Sequence, residues 1–225
     1  MSSTYNIAID GPAGAGKSTI AKLVAAKLGF IYVDTGAMYR AMALYFLENG
    51  IQPEDEEKVS AACGQIDISL RYQDGVQQVI LNGRDVSGKI RTEVVGNAAS
   101  VVSAYRAVRQ ALLALQQNLA KTSNVIMDGR DIGTCVLPHA QTKIYLTASS
   151  HVRAIRRYKE LTEKGQMCNL EEIEQDIIDR DYRDMHREIA PLTQAADAVL
   201  LDSSEMTIDQ VVDGIIGAAR ERGLA

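Results

Sequence analysis

The sequence has 225 residues, of which 46% are hydrophobic and 24% charged. This balance is typical of a globular protein, and the length suits one α/β domain with a modest insertion, or two small ones. The net charge is −5, without the basic excess of dedicated nucleic-acid-binding proteins. We therefore expect no nucleic-acid partner, and any site for an anionic ligand must be built from local positive charge.

The cysteines and the hydropathy pattern bear on the cellular compartment. Cys63, Cys135 and Cys168 are scattered and form no CxxC pair, so they lack both a disulfide framework and metal-ligand spacing. Such a set predicts buried or inert thiols in a reducing compartment. The N-terminus has no basic segment before a long apolar run, and no apolar stretch is long enough to span a bilayer. We expect a cytoplasmic protein with no membrane partner.

The first fifty residues predict a βαβ unit. Residues 5–10 (YNIAID) form a short apolar run that ends at Gly-Pro, as a buried strand does. A helical pattern runs from Lys17 to a stop at Gly29, and a second strand at 30–33 leads into another helix that ends near Gly50. Strand, helix and strand at this spacing predict a parallel sheet.

Residues 67–86 have a different pattern, with apolar and polar residues alternating with period two. The dipeptides Asp74-Gly75 and Asn82-Gly83 suit type I′ hairpin turns. This stretch therefore predicts a small antiparallel sheet inserted into the α/β chain.

The α/β pattern resumes after the insertion. The predicted strands lie at 124–128, 143–147 and 198–202, and the predicted helices at 91–103, 104–121, 150–164, 170–187 and 206–222. The sequence thus predicts an α/β fold with a parallel sheet of about five strands flanked by helices.

The segment between the first strand and the first helix matches GxxxxGK[ST], the P-loop pattern. Its glycines allow backbone N–H groups to surround phosphate oxygens at a helix N-terminus. Lys17 would reach the β- and γ-phosphates, and the Ser18 hydroxyl would bind Mg²⁺. The alternative is a glycine-rich turn with a surface lysine. The predicted triphosphate-binding residues are Gly11, Pro12, Ala13, Gly14, Ala15, Gly16, Lys17, Ser18 and Thr19.

Other residues separate a kinase from a regulatory GTPase, whose guanine-reading NKxD motif is missing from the sequence. A kinase needs a second anion site, because two polyanions must be brought together against their repulsion. Arginines occur in suitable clusters: Arg40, Arg109, Arg130, Arg153, Arg156, Arg157, Arg180, Arg183 and Arg187. Asp128 ends an apolar strand and is interpreted as a carboxylate for Mg²⁺; the alternative is an aspartate that caps a turn.

Arg180, Asp184 and Arg187 share one face of a predicted helix. A solvated salt-bridge ladder with Asp176 and Asp179 is an equally good explanation of this spacing.

With the P-loop, the motifs 34–40 (DTGAMYR) and 128–131 (DGRD) make the chain closely resemble the bacterial cytidylate (CMP/dCMP) kinases. The resemblance runs almost end to end and includes residues 90–92 (IRT), 97–100 (NAAS), 108–109 (VR) and 180–184 (RDYRD). It implies a P-loop NTPase fold in one kinase domain, 1–225, with an inserted monophosphate-binding subdomain at 63–103 and a short helical lid at 150–168. It also implies ATP as phosphate donor, Mg²⁺, and CMP and dCMP as substrates.

The resemblance assigns roles to individual residues. Ser100, Arg109 and Asp131 would read the cytosine, with Thr35, a serine in some relatives, at the mouth of the pocket. The pentose would be held by Arg180 and Asp184. The phosphates would be bound by Arg40, Arg130 and Arg187. The residues implied in catalysis are Lys17, Arg130, Arg156 and Arg157, the last two in the lid.

Cytosine selection agrees with the chemistry of these side chains. The exocyclic amine is a donor for Asp131, whereas uracil would set a carbonyl oxygen against this carboxylate. Two alternatives stay open: a kinase for another acceptor, such as UMP, AMP or a non-nucleotide metabolite, and a nucleotide-binding regulatory protein without phosphotransfer. We expect a monomer.

Overall fold

The computed structural model describes residues 4–73 and 75–224. The strands are β1 (Asn6–Asp10), β2 (Ile31–Asp34), β3 (Ile68–Gln73), β4 (Val76–Leu81), β5 (Arg84–Asp85), β6 (Val125–Gly129), β7 (Thr142–Thr147) and β8 (Val199–Asp202). The helices are α1 (Lys17–Leu28), α2 (Thr35–Glu48), α3 (Glu56–Ala62), α4 (Glu93–Val102), α5 (Arg106–Thr122), α6 (Ser150–Glu163), α7 (Leu170–His186) and α8 (Ile208–Glu221). Short helical turns lie at Cys63–Gln65, Lys89–Arg91 and Ile132–Val136.

Five strands form a parallel sheet in the order β2-β6-β1-β7-β8, as the sequence predicts. β1 lies at the centre, where the chain order of the strands changes direction. The register pairs Asp34 with Asp128, and Asp10 with Gly129. The carboxyl ends of β1, β2 and β6 therefore meet at one edge, which is where open α/β sheets bind ligands.

The two faces of this sheet bury different side chains because residues alternate along each strand. Ile7 and Ile9 of β1 pack in a cluster with α1 and α8. Ala8 of β1 and Met127 of β6 pack on the other face, with residues of α5. Helices thus cover both faces of the parallel sheet, which explains its near-continuous apolar strands.

The predicted insertion is a three-stranded antiparallel sheet, β3-β4-β5. Asn82 and Gly83 both have positive φ, 46° and 79°, as a type I′ turn requires. Gly75 has a φ of 75°, and its predicted turn partner Asp74 lies outside the described residues. Leu81 is fully buried and packs in one cluster with α2, α4 and α5, so this sheet is anchored on the helices beside it.

The structure differs from the sequence predictions in three places. Helix α3 was not predicted; Asp55 caps it by accepting a hydrogen bond from the Lys58 N–H, 3.1 Å. The helix predicted at 91–103 begins only at Glu93, because Thr92 caps it. Of the thiols predicted to be buried or inert, Cys135 is not buried: it is exposed in the short helical turn after β6.

In the described part of the chain, no helix combines the length and the apolar character that crossing a bilayer requires.

Candidate active site

The P-loop follows β1 and leads directly into α1. Gly14 and Gly16 are in the left-handed region, with φ of 75° and 83°, which favours glycine. A Cβ at Gly11 would lie only 1.9 Å from the carbonyl oxygen of Leu146 in β7. The loop is therefore packed tightly on the sheet edge and cannot accept a side chain at this position.

Lys17 is buried at the first turn of α1, with 6% of its surface exposed. Its Nζ donates to the carbonyl oxygens of Gly11 and Pro12, at 2.7 Å each. Burial and the nearby charge of Arg130 hold the pKa of Lys17 well below its usual value, although Asp128 and Asp10 oppose this shift. The alternative of a surface lysine beside a turn is therefore wrong.

Ser18 and Asp128 meet where α1 begins and β6 ends. The Ser18 hydroxyl donates to Asp128 Oδ2 at 2.7 Å, and the Tyr32 hydroxyl donates to Asp128 Oδ1 at 3.0 Å. Burial and the charge of Asp34 raise the pKa of Asp128 to about 6. Tyr32 was missed by the sequence analysis because its position in an apolar strand indicates only core packing.

This pair of oxygen ligands fits a magnesium ion that is also bound by phosphates. Mg²⁺ prefers oxygen, and proteins usually supply it with one or two side chains while substrate phosphates and water complete the shell. Within residues 4–73 and 75–224, no cluster of three or more His, Cys, Asp or Glu side chains could hold a metal alone. Ser18 and Asp128 thus fit a Mg²⁺ site that substrate phosphates complete, but not a site formed by protein side chains alone.

A second group of charges surrounds the end of β6. Arg130 Nε donates to Asp184 Oδ2 of α7 at 2.8 Å. Burial and the Arg130 charge lower the pKa of Arg180 to about 10, and its buried Nε has no hydrogen-bond partner among the described residues. Burial and the charge of Arg91 also lower the pKa of Arg40. This concentration of cations is suited to an anionic ligand.

The burial of Asp184 shows whether the charged face of α7 is a solvated salt-bridge ladder. Only 6% of its surface is exposed, and its partner Arg130 directly follows β6. The side chain of Arg187 is 8% exposed. A solvated salt-bridge ladder therefore does not describe Asp184 and Arg187.

Asp131 is buried between two arginines. One carboxylate oxygen accepts from Arg109 Nη2, and the other lies 3.4 Å from Arg187 Nη2. The guanidinium of Arg109 also lies 5.6 Å from the centre of the Tyr39 ring. These groups combine an acceptor and donors in one buried constellation, as reading a polar base requires.

The loop that carries Asp131 is held by Asp10 at the end of β1. Asp10 accepts from the N–H groups of Ile132 and Gly133, at 2.8 and 2.7 Å, and burial raises its pKa to about 6. A pocket of about 270 Å³ opens beside Asp131 and is lined by Tyr39, Arg109, Gln116, Asp131, Cys135 and Ile189, among others.

The remaining predicted residues lie in several places. Thr35 is buried, and its hydroxyl donates to the Asp128 carbonyl at 2.7 Å. Ser100 is half-buried on α4, outside the lining of the pocket beside Asp131. On α6, Arg156 donates to the Ser203 carbonyl at 2.7 Å, and Arg157 pairs with Glu160 at 2.9 Å. Thr19 is exposed on α1.

Arg153 is the clearest residue that the sequence alone did not place. The sequence predicts it only as one of the arginines suited to an anion site, whereas the structure buries it, with 5% of its surface exposed. Its Nη1 donates to the Ala13 carbonyl of the P-loop at 2.8 Å and pairs with Asp181 at 2.6 Å. Helical spacing cannot reveal this role, because the partners come from distant parts of the chain.

A P-loop after the central strand of a parallel sheet, with a separate cluster of arginines near the strand ends, defines a P-loop kinase. The family model for cytidylate kinase matches residues 7–221. The chain therefore belongs to the cytidylate kinase family, and it is an ATP-dependent nucleoside monophosphate kinase.

Relatives agree with this family. The cytidylate kinase of Caldicellulosiruptor bescii is 51% identical over 211 residues, which are 94% of this chain and 93% of that protein. The cytidylate kinase of Leuconostoc mesenteroides is 51% identical over 208 residues, 92% and 93% of the two chains. A crystal structure of an uncharacterized protein from Eubacterium ventriosum has a TM-score of 0.53 at 10% identity, covering 96% of this chain and 99% of that one. That last similarity concerns the fold alone.

Proposed function

We propose that this protein transfers the γ-phosphoryl group of ATP to CMP or dCMP, giving CDP or dCDP and ADP. The main support for a cytosine nucleotide as phosphoryl acceptor is the buried Asp131 carboxylate, which lies between Arg109 and Arg187. A carboxylate accepts from the exocyclic amine of cytosine, whereas it repels the carbonyl that uracil has there. Ser100 and Arg109 donate hydrogen bonds to the ring nitrogen and the carbonyl oxygen of cytosine.

The donor site is the P-loop from Gly11 to Thr19. Its backbone N–H groups and the start of α1 bind the triphosphate, and Lys17 moves from its loop carbonyls to the β- and γ-phosphates. Ser18 and Asp128 would hold Mg²⁺ together with phosphate oxygens. The ion would neutralise charge on the transferring group. The close approach of Ser18 to Asp128, 2.7 Å, supports this pairing.

The acceptor site lies at the arginine cluster. Arg40, Arg130 and Arg187 bind phosphates, Arg180 and Asp184 hold the pentose, and Thr35 lies at the mouth of the cytosine pocket. The Nε of Arg180, which has no hydrogen-bond partner in the described part of the chain, is a donor that a ligand would satisfy. The acceptor phosphate is already mostly dianionic at neutral pH, so that no general base is needed, and catalysis rests on positioning and charge stabilisation.

Closure completes the site. The subdomain at 63–103 and the lid at 150–168 move over the bound substrates and exclude water, which otherwise would hydrolyse ATP. Arg156 and Arg157 then turn from Ser203 and Glu160, which they contact in the structure, towards the transferring phosphoryl group. Such arginines stabilise the charge of the transition state.

The nature of the substrates also bears on the cellular compartment and the oligomeric state of the enzyme. We propose a monomer that works in the cytoplasm without a nucleic-acid partner, because each of its ligands is a small nucleotide. The pKa of the Cys63 thiol, raised by partial burial, is consistent with an inert cysteine.

The test is a coupled assay of ADP release with ATP and CMP, dCMP, UMP or AMP. We expect CMP and dCMP to be phosphorylated far faster than UMP or AMP, since mismatched partners leave buried polar groups unpaired. Equal steady-state rates for UMP and CMP would contradict the assignment. ATP binding without CDP formation would favour a regulatory protein instead.

Gly96→Ala tests the phosphate role of Arg40. A Cβ at Gly96 would lie 2.7 Å from Arg40 Nη1, so the guanidinium must move while the fold is retained. We expect the KM for CMP to rise about 10-fold, the effect of losing one charge-assisted hydrogen bond, with little change in the KM for ATP. Gly88→Ala is the matched control, because its Cβ would meet open space. Equal KM values in both variants would argue against a phosphate at Arg40.

A further inference from the structure

Both backbone groups of one P-loop residue, Ala13, are held by charged side chains from later helices. Its N–H donates to Asp181 Oδ1 at 3.3 Å, and its carbonyl accepts from Arg153 Nη1 at 2.8 Å. The two side chains pair with each other at 2.6 Å. We propose that Arg153 and Asp181 are positioning residues that fix the P-loop and couple it, through α7, to the acceptor site.

The Arg153–Asp181 ion pair is buried. Arg153 and Asp181 are 5% and 8% exposed, and Arg153 Nε also donates to the Ala148 carbonyl at 2.8 Å, which anchors it where β7 leads into α6. A buried ion pair is a poor source of stability, because desolvation offsets its attraction. The ion pair therefore acts by fixing geometry, since it binds both the N–H and the carbonyl group of Ala13.

The link to the acceptor site runs along one face of α7. Asp181 and Asp184 are three residues apart and therefore neighbours on the helix surface. Asp184 binds Arg130 at 2.8 Å, and Arg180 precedes Asp181. A ligand that draws Arg130 and Arg180 together would shift α7, and the Asp181 carboxylate would carry this shift to Ala13. The coupling rests on the proposed function, since it needs an acceptor at this cluster.

The experiment measures the Kd of β,γ-methylene ATP, which cannot transfer its phosphoryl group, by calorimetry with and without saturating CMP. For the unchanged protein we expect CMP to tighten donor binding by about 5-fold or more. Asp181→Asn should bring this factor close to one and weaken donor binding in the absence of CMP. Asp181→Glu, which keeps the charge, should recover part of the coupling.

Asp197→Asn is the matched control, because Asp197 also pairs with a buried cation, Lys143, which is 7% exposed and lies 2.9 Å away, and the Lys143 ammonium donates to Pro138 and Asp197 rather than to the P-loop. It should keep the coupling factor of the unchanged protein. If Asp181→Asn does not fold, Arg153→Lys replaces it, since it keeps the charge but loses the forked contacts.

Two results would overturn the proposal: an unchanged protein without coupling, or a folded Asp181→Asn whose coupling is normal and whose melting temperature alone is lower. Failure of the proposed function is seen separately, as the absence of CDP formation from ATP and CMP in the unchanged protein.

Discussion

Replacing Lys17 by alanine should lower kcat for CMP phosphorylation by about 10³-fold, the upper range for losing one preorganised donor to a developing charge. The effect should be this large because the buried ammonium already lies within the loop, 2.7 Å from two of its carbonyl oxygens. The measurement is steady-state ADP release at saturating ATP and CMP, with a melting curve on the same sample.

The fold should survive this change, because Lys17 contacts the loop rather than the core of the sheet. Lys27→Ala is the matched control: it lies on the same helix, α1, and its Nζ makes an exposed pair with Asp213. Its kcat should equal that of the unchanged protein. Full activity of a folded Lys17→Ala variant would contradict a phosphate role for Lys17.

Replacing Asp131 by asparagine should remove the preference for cytosine. The asparagine amide can turn its NH₂ group towards the uracil carbonyl, so the repulsion that excludes UMP is lost. We expect the ratio of kcat/KM for CMP to that for UMP to fall about 100-fold. The measurement is ADP release with each acceptor at several concentrations.

The same substitution should reduce stability, since Arg109 and Arg187 lose the carboxylate between them. Breaking a buried pair costs roughly 3 kcal/mol, so rates must be compared well below the melting temperature. Asp197→Asn also removes the carboxylate partner of a buried cation, and it should leave the substrate ratio unchanged. A selective Asp131→Asn enzyme would show that another group reads the base.

Much of the architecture followed from local patterns. The P-loop lies between a strand and a helix because Gly11 to Ser18 combine glycine conformations with a helix start, and both requirements are local. The Asn82-Gly83 turn has the positive φ angles that its dipeptide predicts. Helix α3 was missed because its seven residues are too few for a clear apolar period.

The candidate site was predicted less completely than the fold. Asp128, Asp131 and Asp184 were named, and so were most of the residues that they contact, but the sequence did not indicate which of these residues pair with each other. Asp10 and Arg153 act on loops that are distant in sequence: Asp10 accepts from Ile132 and Gly133, and Arg153 donates to the P-loop. No spacing rule covers such contacts, because the sheet order brings the segments together.

The sequence by itself determined the P-loop motif at Gly11–Thr19, the parallel sheet, and a resemblance specific enough to indicate the cytidylate kinase family. These properties depend on residues close together in the chain, where backbone conformation and side-chain type are sufficient. Only the tertiary structure decided which charges are buried and paired. It showed that Asp184 lies against Arg130, that Arg180 has a buried donor with no partner within residues 4–73 and 75–224, and that Arg153 donates to the P-loop. Burial and charge pairing depend on which strands and helices pack together, and helical spacing does not contain that information.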